Sequence, residues 1–294
     1  MTLFYIAILA IVQGLAELLP VSSSAHVIVV EKLFGFDPAS PQMTLLLVML
    51  HTGTMFAVIL YFWQAWKKSF FASREVFKTQ AVLLVTATLL TAAVGYPLMK
   101  GIEKGLEKSG YLVKDATGHV PKAEIELLFG NLGLMAGALA AVGLLILIAG
   151  LARRSTRDRE IGIGQAACIG AVQGLCLPFR GFSRSGATIS TGLLLHGLKA
   201  RVEEFSFALA VLLTPAAVGR EVWRLIKAQH EAGGSGVTWS MFGPGLLGMV
   251  LAFFAGLLAL RWLSRWLESG RWYLFGVYCL LAAAAVFTLH CRGF

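Results

Sequence analysis

Gln13-Gly14-Leu15-Ala16-Glu17-Leu18-Leu19-Pro20-Val21-Ser22-Ser23-Ser24-Ala25-His26 interrupts an apolar run that extends from residue 3 to residue 34. Each side of the interruption is too short to cross a bilayer, which takes roughly 20 apolar residues in a helix. A proline, three serines and two ionisable side chains at the break predict two short helices meeting at a polar turn. Such a re-entrant hairpin is tolerated at membrane depth only where protein or an aqueous cavity surrounds it. A second run, 161–198, has the same build around Gly181-Phe182-Ser183-Arg184-Ser185-Gly186-Ala187-Thr188.

The rest of the chain reads as bilayer. Hydrophobic residues make up 57% of its 294 residues and charged residues 14%, against about 25% charged in a soluble domain. Mean hydropathy is +0.75. Six apolar runs have spanning length, near 44–64, 80–99, 127–151, 203–225, 240–262 and 272–291. Gln13-Gly14-Leu15 returns as Gln173-Gly174-Leu175, each followed by a serine-bearing turn. Each half therefore holds one hairpin and three spans. Three crossings are odd, so the second half inserts upside down, and inverted repeats bring their broken segments face to face near the midplane. The fold expected is an all-α polytopic membrane protein, one domain over 1–294. It has six transmembrane helices, two re-entrant helical hairpins and an inverted-topology repeat of roughly 1–151 and 161–294.

The net charge of +9 belongs to short loops rather than to a basic stripe on a soluble face, which argues against a nucleic-acid partner. Lys67, Lys68, Arg74, Lys78, Arg153, Arg154, Arg157, Arg159, Lys199, Arg201, Arg261, Arg265 and Arg271 collect on one side. By the positive-inside rule that side is cytoplasmic and both termini face outward. The loop over 100–126 mixes charges as a solvated amphipathic helix would. Trp63, Trp66, Trp262, Trp266 and Trp272 suit an interfacial belt. Cys168, Cys176, Cys279 and Cys291 lack metal-ligand spacing and read as packing residues. The apolar N-terminus lacks a basic leader and a cleavage signature, and reads as mature chain.

Ionisable groups at membrane depth are costly and mark function. Arg184, flanked by Ser183, Ser185 and Gly186, has the donors of a phosphate cradle, because a guanidinium holds an anion bidentately. Ser22, Ser24 and Thr188 are further donors, although Thr188 also reads as an ordinary hydroxyl in the first turn of a helix. Gln13 and Glu17 share one helix face a turn apart. That face can hold a divalent cation (Mg or Ca), orient water or exchange a proton. His26 is either a nucleophile or a general acid, and Ser23 is the competing nucleophile. Arg180 reads as a rim contact, and His51 and Thr52 as packing groups within a span. Phosphoryl chemistry inside a membrane is the function this set supports. The alternative is a polyprenyl-phosphate flippase, since transporters also use inverted repeats with broken helices.

The two motifs, in this order, resemble those of the undecaprenyl pyrophosphate phosphatases of the bacitracin-resistance type, and the resemblance covers essentially the whole chain. It implies an enzyme of the bacterial inner membrane that removes the terminal phosphate of a polyprenyl diphosphate. The monophosphate carrier lipid is thereby recycled for peptidoglycan synthesis, and the site opens to the outer, periplasmic face. Implied partners are that lipid, membrane lipids and, as an option, a second copy in a homodimer. Three positions depart from the usual pattern: Gln13 where many members have Glu, Ala25 where Gly is common, and an extra residue within Pro178–Phe182.

Overall fold

A computed structural model describes residues 2–36, 41–109, 128, 130–152, 159–231 and 242–293. Arg153, Arg154, Arg157 and most of the expected surface helix over 100–126 lie outside the described residues. The described chain is helical throughout, with ten helices among those residues: α1 Leu3–Leu18, α2 Ser23–Leu33, α3 Pro41–Ser69, α4 Arg74–Lys108, α5 Leu132–Leu151, α6 Ile163–Cys176, α7 Arg184–Leu194, α8 Lys199–Glu231, α9 Phe242–Glu268 and α10 Tyr273–Cys291. Six of them, α3, α4, α5, α8, α9 and α10, are long and apolar enough to cross a membrane. The protein is a multi-pass membrane protein.

The other four come in two pairs, α1–α2 and α6–α7. α1 has 16 residues and α6 has 14, or about 24 and 21 Å at 1.5 Å per residue. Neither crosses a hydrocarbon core of about 30 Å alone. Pro20 ends α1 by forcing Leu19 into an extended conformation (φ −71°, ψ 151°), as a residue before proline adopts. Ser22 turns the chain with a positive φ of 68°, and α2 begins at the next residue. In the second pair, Ser183 caps α7 by accepting from the Gly186 N–H at 3.2 Å, which satisfies an otherwise orphaned helix-terminal donor.

Packing follows a reciprocal scheme. α1 lies along α9, the fourth helix of the second five, and α6 lies along α4, the fourth helix of the first five. α5 pairs with α10 and α3 with α8. Where lipid replaces water there is no hydrophobic force between helices, so close backbone approach through small residues takes its place. The α5–α10 seam shows this: a Cβ on Gly276 would stand 2.7 Å from the Gly143 carbonyl oxygen.

Polar groups at several helix ends bond to neighbouring helices. Lys199 Nζ at the start of α8 donates to the Leu267 carbonyl at the end of α9 (2.6 Å), and Trp66 Nε1 near the end of α3 donates to the Glu204 carbonyl (3.2 Å). The tryptophan belt needs correction. Trp63 and Trp262 are exposed, but Trp66 and Trp272 are buried. Their indole N–H groups are used inside the protein, Trp272 donating to Ser190 Oγ at 3.0 Å.

Candidate active site

The turns of the two short-helix pairs meet. Ser185 Oγ donates to the Leu19 carbonyl (3.3 Å), and α7 comes so close that a Cβ on Gly186 would stand 3.2 Å from the Pro20 carbonyl oxygen and 2.9 Å from Ile146. Glycine at 186 is what lets the two turns touch. Between them sits Glu17, on the last turn of α1.

Four side chains converge on that carboxylate. Ser23 Oγ–H donates to Oε2 at 2.5 Å, and Gln13 Nε2, one helical turn earlier, donates to the same oxygen at 3.2 Å. Arg184 Nη2 donates to Oε1 at 3.2 Å from the opposite pair. His51 Nε2, from α3, lies 3.6 Å from Oε2, with its Nδ1 on the Leu47 carbonyl at 2.8 Å. Gln13 is buried, whereas the Glu17 and Arg184 side chains keep 18% and 24% of their surface exposed. Glu17, His51, Thr54, Arg184 and Thr214 supply the polar wall of a small cleft, and Met55, Val58 and Val211 its apolar wall.

Arg184 Nη1 is the exception in an otherwise satisfied group. It is buried and has no hydrogen-bond partner, which is costly for a charged donor. A guanidinium with one edge on a carboxylate and another N–H in reserve beside a cleft is built to take an anion. A carboxylate accepting from a serine hydroxyl is, in turn, placed to remove its proton. Together these groups suit transfer of a phosphoryl group to Ser23.

Comparison with known proteins identifies the family. The family model described as "Bacitracin resistance protein BacA" matches residues 6–285. The chain belongs to the BacA bacitracin-resistance family. It is 54% identical to Undecaprenyl-diphosphatase 2 of Acinetobacter baylyi, over 98% of each chain. It is 34% identical to Undecaprenyl-diphosphatase of Desulfosudis oleivorans, over 93% of each. Against Undecaprenyl-diphosphatase of an Anaeromyxobacter species it is 31% identical, over all of this chain and 90% of the relative.

Within this BacA chain the remaining candidates are spread around the core group. Ser22 and Ser24 pair through their hydroxyls (3.2 Å), as do Ser183 and Ser185 (3.4 Å). Thr188 points into the protein: it donates to the Arg184 carbonyl at 2.8 Å and shares a hydrogen with Ser206 Oγ at 2.6 Å. His26 has both ring nitrogens occupied away from Glu17, Nδ1 on the Ser22 carbonyl and Nε2 on Tyr278 Oη, each at 2.7 Å. The extra residue in Pro178–Phe182 is absorbed by a turn in which Phe182 N–H donates to the Phe179 carbonyl and Gly181 takes φ 102°. Arg180, on that turn, is half-buried.

Two functional candidates went unseen in the sequence as site members, His51 and Tyr278. Each comes from a distant spanning helix and carries no local motif. For a divalent cation, no group of three His, Cys, Asp or Glu side chains comes together among the described residues. Glu17 is the one carboxylate of the cluster, and the Gln13 amide already spends its N–H on it. That donor set fits only a cation that takes most of its ligands from phosphate and water, as Mg²⁺ commonly does.

Proposed function

We propose that the Glu17–Ser23–Arg184 group is the catalytic centre with which this BacA protein hydrolyses undecaprenyl diphosphate to the monophosphate and inorganic phosphate. That reaction is the one its curated relatives are named for, and it fits the family's bacitracin-resistance name. The observation that carries the site assignment is the buried, unpartnered Arg184 Nη1 beside a carboxylate already bonded to a serine.

In this reading Ser23 Oγ attacks the terminal phosphorus while its proton passes to Glu17 Oε2. The bond from phosphorus to the bridging oxygen breaks, and the lipid monophosphate leaves with that proton from Glu17, which is ionised again. Water then attacks the phosphoserine, giving one proton to Glu17 and releasing phosphate, and Ser23 Oγ recovers a proton from Glu17. Arg184 holds the phosphoryl oxygens throughout with both edges of its guanidinium, so that positioning and electrostatics carry the catalysis as in phosphoryl transfer generally. Ser22, Ser24, Ser183 and Ser185 surround the cradle and keep its turns in register. Gln13 and Glu17 would hold a divalent cation, Mg or Ca, and that ion would offset the charge of the two adjacent phosphates.

The reading extends to placement in the membrane. α1–α2 and α6–α7 are re-entrant hairpins of an inverted repeat, supported by their lengths and by the reciprocal α1–α9 and α6–α4 packing. By the positive-inside rule the basic helix ends face the cytoplasm of a bacterial inner membrane and the termini face outward, and the site opens to the periplasm, as the family resemblance implies.

The test is single turnover on a polyprenyl diphosphate labelled in its terminal phosphate, quenched in acid. Labelled phosphate trapped on Ser23, and absent from Ser23→Ala, supports the assignment. Full turnover by Ser23→Ala refutes it.

A further inference from the structure

The turn that carries Ser23 bends sharply and exposes backbone carbonyls to a largely apolar surrounding. Three of its carbonyls each have a side-chain donor. Leu19 O receives Ser185 Oγ–H (3.3 Å), Pro20 O receives Cys279 Sγ–H (3.3 Å), and Ser22 O receives His26 Nδ1–H (2.7 Å). Ser22 is the residue with positive φ immediately before Ser23. A non-glycine residue in that region costs of order 1–3 kcal/mol and persists only where its surroundings over-determine it. The shortest bond to it is from the His26 ring, beside the His26 backbone N–H at 3.4 Å and the Ser24 hydroxyl at 3.2 Å.

The ring is itself fixed from the other half of the chain. With Nδ1 donating to a carbonyl, the neutral imidazole presents Nε2 as an acceptor, and Tyr278 Oη–H fills it at 2.7 Å. The two rings also stack, 14° from parallel. Tyr278 stands beside Cys279 on α10, and α10 is anchored through the Gly276–Gly143 contact to α5. α5 in turn packs on α7, the helix that begins with Arg184. One rigid line of helices therefore sets both the phosphate cradle and the turn that presents the nucleophile.

We infer that Tyr278 is a positioning residue of the hydrolysis: it acts through His26, whose Nδ1–H bond to the Ser22 carbonyl holds Ser23 in line with Glu17 and Arg184. This rests on Ser23 being the nucleophile, as proposed above. In this arrangement His26 contributes through one N–H and not through a reacting lone pair, because both nitrogens are already spent.

The inference separates two substitutions that a reactive histidine would treat alike. Asparagine can offer an amide N–H where His26 offers Nδ1–H, yet it can neither carry phosphate nor donate a labile proton. His26→Asn should stay within about tenfold of the normal kcat and still trap labelled phosphate on Ser23, whereas His26→Ala should lose clearly more. Tyr278→Phe keeps the stacked ring and removes the O–H; it should lower kcat about fivefold, the worth of one ordinary hydrogen bond, with KM little changed. In a His26→Ala background the Tyr278→Phe change should cost nothing further, which is the double-mutant signature of action through His26.

Three results would overturn the inference. Wild-type kcat in Tyr278→Phe, or an equal cost of that change with and without His26, removes Tyr278 as a positioning group. His26→Asn as inactive as His26→Ala, with no phosphate on Ser23, makes the imidazole a reacting group. The site reading fails separately: if labelled phosphate forms on His26, or Ser23→Ala turns over normally, then Ser23 is not the nucleophile. Thermal melts of every variant, matched to wild type, confirm that folded proteins are being compared.

Discussion

Replacing Arg184 by lysine isolates the guanidinium fork from its charge. Arg184→Ala would confound the measurement, since it strands the Glu17 carboxylate in a site where only 18% of that side chain reaches solvent, and an uncompensated buried charge is strongly destabilising. Lysine keeps a cation for Glu17. What it cannot keep is Nη2 on Oε1 at 3.2 Å together with a second N–H, Nη1, held in reserve. A hydrogen bond to a charged group is worth about 1.5–3 kcal/mol, and loss of one transition-state donor costs about 10²–10³ in rate. Arg184→Lys should therefore lower kcat about a hundredfold and raise KM much less, because the fork matters most as charge moves in the transition state. Arg180→Lys, on the neighbouring turn, should change kcat by less than about threefold, as surface changes away from a site usually do. Phosphate release from a polyprenyl diphosphate in detergent, with both variants matched to wild type in thermal melting, is the assay. Near-normal turnover by Arg184→Lys would refute the bidentate cradle.

Glu17→Gln should lose about 10²–10⁴ in kcat, the usual worth of a positioned general base, while still binding a non-hydrolysable diphosphate analogue; activity above a tenth of normal would dismiss it as the base. Gly186→Ala should melt lower and turn over more slowly than wild type, since its Cβ must displace Ile146 or the Pro20 carbonyl, and overpacking costs about 1–3 kcal/mol; an unchanged melt and rate would show that the turns can yield. Chelation with EDTA should abolish hydrolysis and added Mg²⁺ or Ca²⁺ restore it. Full activity in EDTA, with metal content verified by elemental analysis, would remove the cation from the scheme.

The six spanning helices were legible because hydropathy over some 20 residues is a direct reading of bilayer thickness. Their ends were not. The run at 80–99 continues as α4 from Arg74 to Lys108, and the run at 44–64 as α3 from Pro41 to Ser69. Charged turns extend a helix without adding hydropathy: Lys67 and Lys68 close α3, and Ser73 caps α4 by accepting from the Val76 N–H. At the site, Glu17, Ser23 and Arg184 could be named because each lies in a dense polar break. His51 and Tyr278 could not, since each sits in an apolar spanning helix far from either polar break and meets Glu17 or His26 only through tertiary packing. Thr188 shows the limit of motif proximity. It lies four residues from Arg184, and its hydroxyl is taken up by the Arg184 carbonyl and Ser206 Oγ.

The ion pair that joins the two short-helix pairs spans 167 residues of sequence, and that separation dictates an order of biogenesis. At a synthesis rate of about 5–20 residues per second, Glu17 leaves the ribosome roughly ten to thirty seconds before Arg184. For that interval the nascent first pair carries an acid with no cation to meet it, and a lone charge is poorly accommodated in hydrocarbon. Docking of the two pairs through this ion pair therefore waits on synthesis of the second half of the chain.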